Sequence, residues 1–487
     1  MSGHFARERL VVAAVESRAE SEQLTEYRAE SSTACFARVG LGLSKAQVPD
    51  RVWQYLKCCV ADAIGIAYAS HHYDFSGRTR QAIDAFEESG PAVAIGCDRL
   101  YPARDAALLN GVLVHGLDYD DTHLPSVVHC SASALPTALA LANREEVSGT
   151  DLLMAVLVAL EIDGRLGAAA GGIFQELGFH PTGVVGIFGA TVAAVRMLGG
   201  SELDAINAQG VALSMAGGSM AFLDEGAWTK RLHPGWASSS ALTAARLAMS
   251  GFQAPHDAYG GRFGFYSLFT RDTSPAATLD WQPDVQPWAL DEVAIKPYPV
   301  CHFNHAPIDA ALALREQHGF NVADIDHVVI KLDERQFGVV VDPIDRKRQP
   351  ESEYDAKFSA PYAVATALTK GRFGLQELDE DHRCDPATLA LAKKITCEHD
   401  ERSRYPQAFS GGVEITLNTG ETLCHFEAVN RGAAGRLLEE TQVRQKFIQN
   451  CSLVLSDERS EALWNTIWNL DAQPGCGEFL NALRGLS

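Results

Sequence analysis

The sequence lacks the features of a membrane-spanning or nucleic-acid-binding protein. Its longest apolar run, Leu152–Leu160, is about half the length of a membrane span. Lysine and arginine number only 41 against 62 acidic residues, and the net charge of −21 argues against nucleic acid or an anionic membrane as a partner. A small anion remains possible as a ligand, because a few cations set apart from the acidic surface create their own local field.

Several motifs and targeting signals are also missing. The 11 cysteines include no CxxC pair, which favours free thiols in a reducing compartment. No GxSxG, HExxH or P-loop motif occurs, and Gly260–Gly264 lacks the strand–turn–helix setting of a dinucleotide site. Residues 1–34 mix arginine with many glutamates and have no apolar core, unlike a secretory signal or a mitochondrial presequence. We predict a mobile tail and a cytoplasmic location, with a mitochondrial one left open.

The first 290 residues show helical periodicity. A chain of 487 residues is expected to form about two domains. Apolar residues recur at helical spacing in seven segments, namely 49–70, 103–117, 131–143, 150–166, 183–198, 203–215 and 237–249. Because the connections between these segments are short, we predict an almost entirely helical domain over residues 35–291.

The pattern changes near residue 292. Some segments now alternate as strands do, and one pair is typical of a hairpin around Asn418-Thr419-Gly420. The predicted strands are 326–333, 413–417 and 422–426, and the predicted helices are 307–317 and 358–368. Residues 437–483 become helical again. We therefore predict a mostly α fold with an α+β insert, in which a smaller α+β domain at 292–430 interrupts a large helical domain completed by residues 431–487.

The densest cluster of polar residues lies between two predicted helices. It comprises His115, Asp118, Asp120, Asp121, Thr122, His123 and His129. Carboxylates and imidazoles at this spacing can bind a metal ion, or the carboxylates can orient histidines for acid–base chemistry. A third interpretation makes Asp120 and Asp121 helix caps. The residues alone leave these alternatives open.

Three further groups contain candidate ligand-binding residues. His180 precedes a glycine- and alanine-rich helix, whose N-terminus can seat a carboxylate near Thr182. Lys230 lies in the basic stretch 229–235, which is either a carboxylate clamp or a solvated surface. The segment 296–305 combines Lys296, Cys301, His302 and His305 before another helix, and is either an anion site or a surface loop.

Taken in order, these groups resemble the MmgE/PrpD family, which includes 2-methylcitrate dehydratase and cis-aconitate decarboxylase. The resemblance extends from about Gly40 to the C-terminus. It depends on six motifs: Leu117–Thr122 with His129, Gly178–Thr182, Thr229–Gly235, Gly251–Pro255 with Gly260, Lys296–His302 and Phe358–Tyr362. Each motif alone is modest, but the ordered series is specific.

The resemblance implies a large helical domain and a smaller α+β lid, with the active site in the cleft between them. It also implies a homodimer that needs no metal and no organic cofactor. The implied catalytic residues are Asp118, His129, His180 and Lys230, and the implied substrate-binding residues are Thr122, Thr182, Lys296, Cys301 and His305. Three departures separate this chain from the decarboxylase branch. The spacing from Thr122 to His129 is one residue longer, Cys301 stands where a histidine is expected, and the expected lid tyrosine has no match near 336–345.

The sequence therefore predicts a cofactor-independent lyase that acts on a small polycarboxylate. Dehydration of 2-methylcitrate or a longer alkylcitrate is ranked first, and decarboxylation of cis-aconitate to itaconate second. Epimerisation of an amino-dicarboxylate is a third enzymatic alternative. From a different class, the chain could be a catalytically silent metabolite-binding protein.

Overall fold

The computed structural model describes residues 31–143, 147–285, 287–405 and 408–486. Residues 1–30 of the predicted tail lie outside these ranges. Its last residues do not form a tail, because the first helix begins at Ser32 and buries Thr33 and Ala34. The helical part therefore starts three residues before the predicted boundary at 35.

Long helices build the first part of the chain, as the apolar periodicity predicts. Six of the seven predicted helices agree closely with the structure, whereas α1 and α3 were not predicted. The helices are α1 (Ser32–Gly42), α2 (Asp50–Ser70), α3 (Asp74–Asp84), α4 (Ala103–His115), α5 (Ser131–Leu141), α6 (Gly149–Ala169), α7 (Pro181–Leu198), α8 (Glu202–Leu213) and α9 (Thr229–Met249).

Helix α9 differs from its prediction, since it begins at Thr229 and not at residue 237. Pro234 lies inside it without ending it. The next residue, Gly235, packs against α4 at Gly111, where an added Cβ atom would lie 2.3 Å from the Gly235 Cα atom. This close approach of two helices fixes the first turns of α9 beside the end of α4. Lys230 is thereby brought to the loop that follows α4.

The α+β region contains a four-stranded sheet. The strands of the described chain are β1 (Ala92–Val93), β2 (Leu100–Tyr101), β3 (Thr122–His123), β4 (Val293–Ala294), β5 (Ile325–Leu332), β6 (Ile395–His399), β7 (Gly411–Leu417) and β8 (Thr422–Glu427). The strand order in the four-stranded sheet is β6–β5–β7–β8. The predicted strand and hairpin are confirmed as β5, β7 and β8, and β6, which runs parallel to β5, was not predicted. The mostly α fold with an α+β portion is confirmed.

Helices also pack in and after the α+β region. Two long ones, α10 (His305–His318) and α11 (Ala360–Lys370), pack against each other, and α10 also lies on β7 and β8. Pro307 falls in the first turn of α10, as predicted. After the sheet come α12 (Glu440–Cys451) and α13 (Asp457–Trp468). Shorter helices lie at Ile173–Glu176, Phe222–Glu225, Phe265–Thr270, Phe337–Val340, Ile344–Arg348, Glu353–Lys357, Glu380–Arg383, Pro386–Ala392 and Gly477–Ala482.

Two apolar cores organise these elements. The larger core joins the helices of the first part to the C-terminal helices, and Phe447 of α12 packs against Gly65 of α2. The second core lies between the sheet and its helices. The short pair β3–β4 connects the two parts, with Thr122 opposite Ala294 and His123 opposite Val293.

One described helix, Pro181–Leu198, is long and apolar enough to cross a membrane by length and composition. Within the fold, 94% of its apolar window is buried. The core helix of a soluble protein passes the same test, so the length of α7 is weak evidence for a membrane span.

Candidate active site

The loop between α4 and β3, residues 116–121, is the centre of the candidate site. Asp118 has a φ of 52°, in the left-handed region that few non-glycine residues adopt. Four buried cations hold this loop, because each donates a hydrogen bond to one of four consecutive carbonyl oxygens. Arg231 Nε donates to Gly116 O (2.7 Å), Lys357 Nζ to Leu117 O (2.8 Å), Lys296 Nζ to Asp118 O (2.7 Å) and Lys446 Nζ to Tyr119 O (2.9 Å).

Asp118 forms an ion cluster with two lysines that are distant in sequence. Its Oδ1 atom accepts hydrogen bonds from Lys230 Nζ at 2.8 Å and from Lys296 Nζ at 3.0 Å. Burial by itself would raise the pKa of Asp118, but the two lysines hold that pKa well below its usual value. The cluster therefore places two ammonium groups around one carboxylate, and one positive charge is left uncompensated within it.

His129 lies between two carboxylates. Its Nδ1 atom is 3.4 Å from Asp120 Oδ1, and its Nε2 atom is 3.8 Å from Asp118 Oδ1. Asp120 also accepts a hydrogen bond from His115 Nδ1 at 2.8 Å. Burial lowers the pKa of His115 to about 4 against the opposing effect of Asp120, so its ring is neutral near pH 7. Asp120 thus orients two imidazoles, of which His129 lines the cavity.

Two threonines lie against His129 but serve it differently. Thr122 Oγ1 is 3.4 Å from His129 Nδ1 and lines the cavity. Thr182 was predicted to bind substrate, but it does not line the cleft, and its binding role stays a prediction. Its hydroxyl oxygen accepts the backbone N–H of His129 at 3.1 Å, deep inside the fold. The start of α7 is also covered, since an added Cβ at Gly183 would lie 2.5 Å from the Gly217 carbonyl oxygen.

The imidazole of His180 pairs with that of His233. Their Nδ1 atoms are 3.0 Å apart, so one donates a hydrogen bond and the other accepts it. Burial, and then the charge of Lys230, lowers the pKa of His180 well below its usual value. Burial lowers the pKa of His233 to about 4. Both rings are neutral near pH 7, so His180 offers a ligand a hydrogen bond and no positive charge.

The α+β region supplies the segment that follows Lys296. Cys301 and His302 both line the cavity. Burial raises the pKa of the Cys301 thiol, which keeps it protonated and makes it a poor nucleophile. His305 was predicted to contact the substrate, but it does not line the cleft, and its binding role stays a prediction. As the first residue of α10 it is fully buried beside the cavity wall, with its Nε2 atom 3.2 Å from the Val300 carbonyl oxygen.

These side chains meet in a cleft between the helical part and the α+β region. The cleft encloses about 570 Å³ of empty space, its open mouth included. Its charged and hydrogen-bonding side chains are Asp118, Thr122, His129, Gln175, His180, Lys230, Lys296 and His302. Its apolar side chains are Val127, Met220, Phe222, Leu223, Phe303, Val339, Phe358 and Phe409. An apolar wall lowers the local dielectric and strengthens the electrostatic interactions of the cluster with an anion.

Seven of the nine predicted site residues line this cleft, and Thr182 and His305 do not. The catalytic and binding roles of all nine residues remain predictions. The nine predicted site residues do not include His302, although it belongs to the candidate segment 296–305, or the supporting residues His115, Asp120 and Lys357. His115 and Asp120 belong to the recognised polar cluster. Lys357 directly precedes the motif Phe358–Tyr362, but nothing in the sequence distinguishes it from a surface lysine.

The same atoms also satisfy the spacing of a metal site. The ring nitrogens of His115, His129 and His180 lie within 4.8 Å of one another, as do ligand atoms of Asp118, Asp120 and His129. Asp118, however, already accepts hydrogen bonds from two ammonium groups. These positive charges repel a divalent cation at the same oxygen. The absence of a metal from the reaction remains a prediction, with a test given below.

Comparison with known proteins identifies the family. Residues 35–278 match the MmgE/PrpD N-terminal domain, and residues 298–472 match the MmgE/PrpD C-terminal domain. The chain therefore belongs to the MmgE/PrpD family, and the resemblance seen in the sequence is confirmed.

Individual relatives are lyases. The chain is 29% identical over 480 residues to cis-aconitate decarboxylase of Mus musculus, covering 94% of each protein. It is 29% identical over 475 residues to cis-aconitate decarboxylase of Homo sapiens, covering 94% of this chain and 95% of the relative. It is 24% identical over 346 residues to 2-methylcitrate dehydratase of Cupriavidus necator, covering 65% and 68%. The chain is thus an enzyme, a lyase of the MmgE/PrpD type, and the silent-protein alternative is set aside.

Proposed function

We propose that this enzyme decarboxylates cis-aconitate or a closely similar unsaturated tricarboxylate. The observation that carries the proposal is the buried cluster of Asp118, Lys230 and Lys296, with His129 at its edge, facing a cleft partly walled by apolar side chains. Such a cleft suits a small anion whose reaction moves negative charge and one proton.

The reaction sets the requirements for the site. Cis-aconitate carries a carboxymethyl group on one alkene carbon. Loss of CO₂ from this group breaks a C–C bond, and the released electron pair forms a new C=C bond. The electrons of the original double bond move to the carbon beside a second carboxylate, where one added proton completes itaconate. The enzyme must therefore stabilise charge that spreads into a carboxylate, and then deliver one proton to carbon.

Each requirement is matched by a group in the cleft. Lys230 and Lys296 bind carboxylates of the substrate and stabilise the charge that develops as CO₂ leaves. His129 delivers the proton, held by Asp120 on one side and by Thr182 at its backbone. His180 is neutral and serves as a hydrogen-bonding partner for the substrate. Closure of the α+β region over the cleft would exclude water and strengthen these interactions.

The relatives favour decarboxylation over the dehydration that sequence analysis ranks first. The cis-aconitate decarboxylases of mouse and human align over 94% of this chain, whereas the 2-methylcitrate dehydratase aligns over 65%. Dehydration of a 2-methylcitrate-like or longer alkylcitrate-like acid is the second candidate. It is favoured by the apolar side of the cleft, where Phe303, Val339, Phe358 and Phe409 offer room for an alkyl substituent.

Incubation of the enzyme with cis-aconitate, citrate or 2-methylcitrate, followed by mass analysis of the products, tests the proposal. We expect release of CO₂ and formation of itaconate from cis-aconitate. Loss of water from 2-methylcitrate, with cis-aconitate unchanged, would replace the proposal by the second candidate. Lys296→Met should abolish the main reaction, and Lys393→Met, a matched change at an exposed lysine, should leave it unchanged.

A further inference from the structure

The imidazole of His302 is buried in the cleft. Its side chain lines the cavity and the residue is 5% exposed. Neither ring nitrogen has a hydrogen-bond partner among the residues that the structure describes. Buried polar atoms are nearly always hydrogen-bonded, because an unpaired one loses its bonds to water without replacement. A pair of unpaired nitrogens on one ring therefore calls for a partner that the chain itself does not supply.

The surroundings of His302 hold its ring at the cavity. The ring lies against His305 at a centroid distance of 4.4 Å and edge-on to Phe409 at 5.6 Å. His305 is itself anchored at the Val300 carbonyl. Burial, and then the neighbouring His305 and Lys296, lowers the pKa of His302 well below its usual value. Near pH 7 the ring is neutral and presents one N–H donor and one acceptor nitrogen.

The charges in the cleft leave a place for such a neutral donor. Lys230 and Lys296 share Asp118, so the cluster has a single uncompensated positive charge. A fully ionised tricarboxylate brings three negative charges. Its carboxylates cannot all be paired with ammonium groups, and at least one must be bound by neutral donors.

We propose that His302 is a substrate-contacting residue whose ring N–H donates a hydrogen bond to a carboxylate of the bound acid. This inference rests on the proposed function, in that the ligand is a tricarboxylate. It assigns the recognition of one carboxylate to the α+β region, at a position next to Cys301.

Direct binding measured by calorimetry tests this role. The probe is tricarballylate, a saturated tricarboxylate that has no double bond and cannot lose CO₂ by the proposed route. His302→Phe keeps a planar ring but removes the donor, and we expect it to bind tricarballylate about tenfold to a hundredfold more weakly than the wild type. His302→Gln keeps an N–H donor and should recover a large part of the affinity. His327→Gln, at a half-exposed histidine on β5, is the matched control.

Stability separates a binding role from a structural one. Replacing an unpaired buried imidazole by phenylalanine should leave the melting temperature of the free enzyme unchanged or higher. Unchanged affinity in His302→Phe would overturn the inference. Equal weakening in the Phe and Gln variants, with lowered melting temperatures, would also overturn it, since shape and not the donor would then matter. Decarboxylation of cis-aconitate by the wild type is assayed separately, and its failure with tricarballylate binding intact would overturn the proposed reaction alone.

Discussion

Removal of the Asp118 charge should make the enzyme bind a tricarboxylate more tightly. In the structure, Asp118 occupies both lysines of the cleft, at 2.8 and 3.0 Å. A substrate carboxylate must therefore compete with it. Asp118→Asn keeps the shape of the side chain, and asparagine tolerates the left-handed backbone at this position as well as aspartate does.

The magnitude follows from the geometry. The charges of Asp118 and of a substrate carboxylate on the same lysines repel each other. Two unit charges about 4 Å apart interact by about 4 kcal/mol at an effective dielectric constant of about 20. The net gain is smaller, because the freed lysines bind water and counterions in the variant before the ligand arrives. Taking half of this energy, about 2 kcal/mol, predicts a Kd for tricarballylate lower by roughly 30-fold. The free variant should lose about 3–5 kcal/mol of stability, since two buried ammonium groups lose their carboxylate.

Calorimetric titration with tricarballylate, together with melting temperatures with and without it, measures both effects. The ligand should raise the melting temperature of Asp118→Asn by more than that of the wild type. Asp121→Asn is the matched control, because Asp121 is equally buried but accepts its hydrogen bonds from Ser131. Equal or weaker binding by the folded Asp118→Asn variant would refute the reasoning, since Asp118 would then not compete with the ligand.

Three further outcomes are expected. His129→Asn and Lys230→Met should each reduce turnover of cis-aconitate by roughly 10²-fold or more, and near-wild-type rates in a folded variant would remove that residue from the mechanism. Burial lowers the pKa of His123 to about 3, so its unfolded form binds a proton below about pH 6.5 and its folded form does not. Between pH 6.5 and pH 5 this difference should lower the free energy of unfolding, measured in urea, by about 2 kcal/mol. In His123→Asn, the slope of the unfolding free energy against pH should fall by about one proton. Prolonged chelation should leave turnover unchanged, whereas a loss that added metal restores would establish a metal site.

The long helices could be predicted because their apolar stripes repeat over several turns. The start of α9 could not, since Pro234 is typical of a helix boundary, whereas in the structure the helix continues through it and Gly235 packs on α4. Strands β3 and β4 have two residues each, too few to show alternation, and their pairing joins positions far apart in sequence. The predicted homodimer and cytoplasmic location remain predictions.

In the candidate site, too, some residues could be predicted from the sequence and others could not. Residues in dense polar motifs, such as Asp118 and His129, were predicted because carboxylates and imidazoles rarely cluster without a role. The choice between His302 and His305 depends on a short turn at residues 302–304, which directs one ring to the cleft and the other inward. The position of the Thr182 hydroxyl could not be predicted, because a threonine at a helix start looks the same in sequence whether its hydroxyl faces a ligand or a backbone amide.

The four cations that bind the carbonyl oxygens of residues 116–119 come from α9, the segment after β4, the helix before α11, and α12. The geometry of Asp118 thus depends on Lys446, which lies 327 residues after Tyr119 in the sequence. Without Lys446, the Tyr119 carbonyl and the buried Asp62, which Lys446 also contacts, would have no cation. A protein shortened before α12 should therefore be inactive even where it is compact.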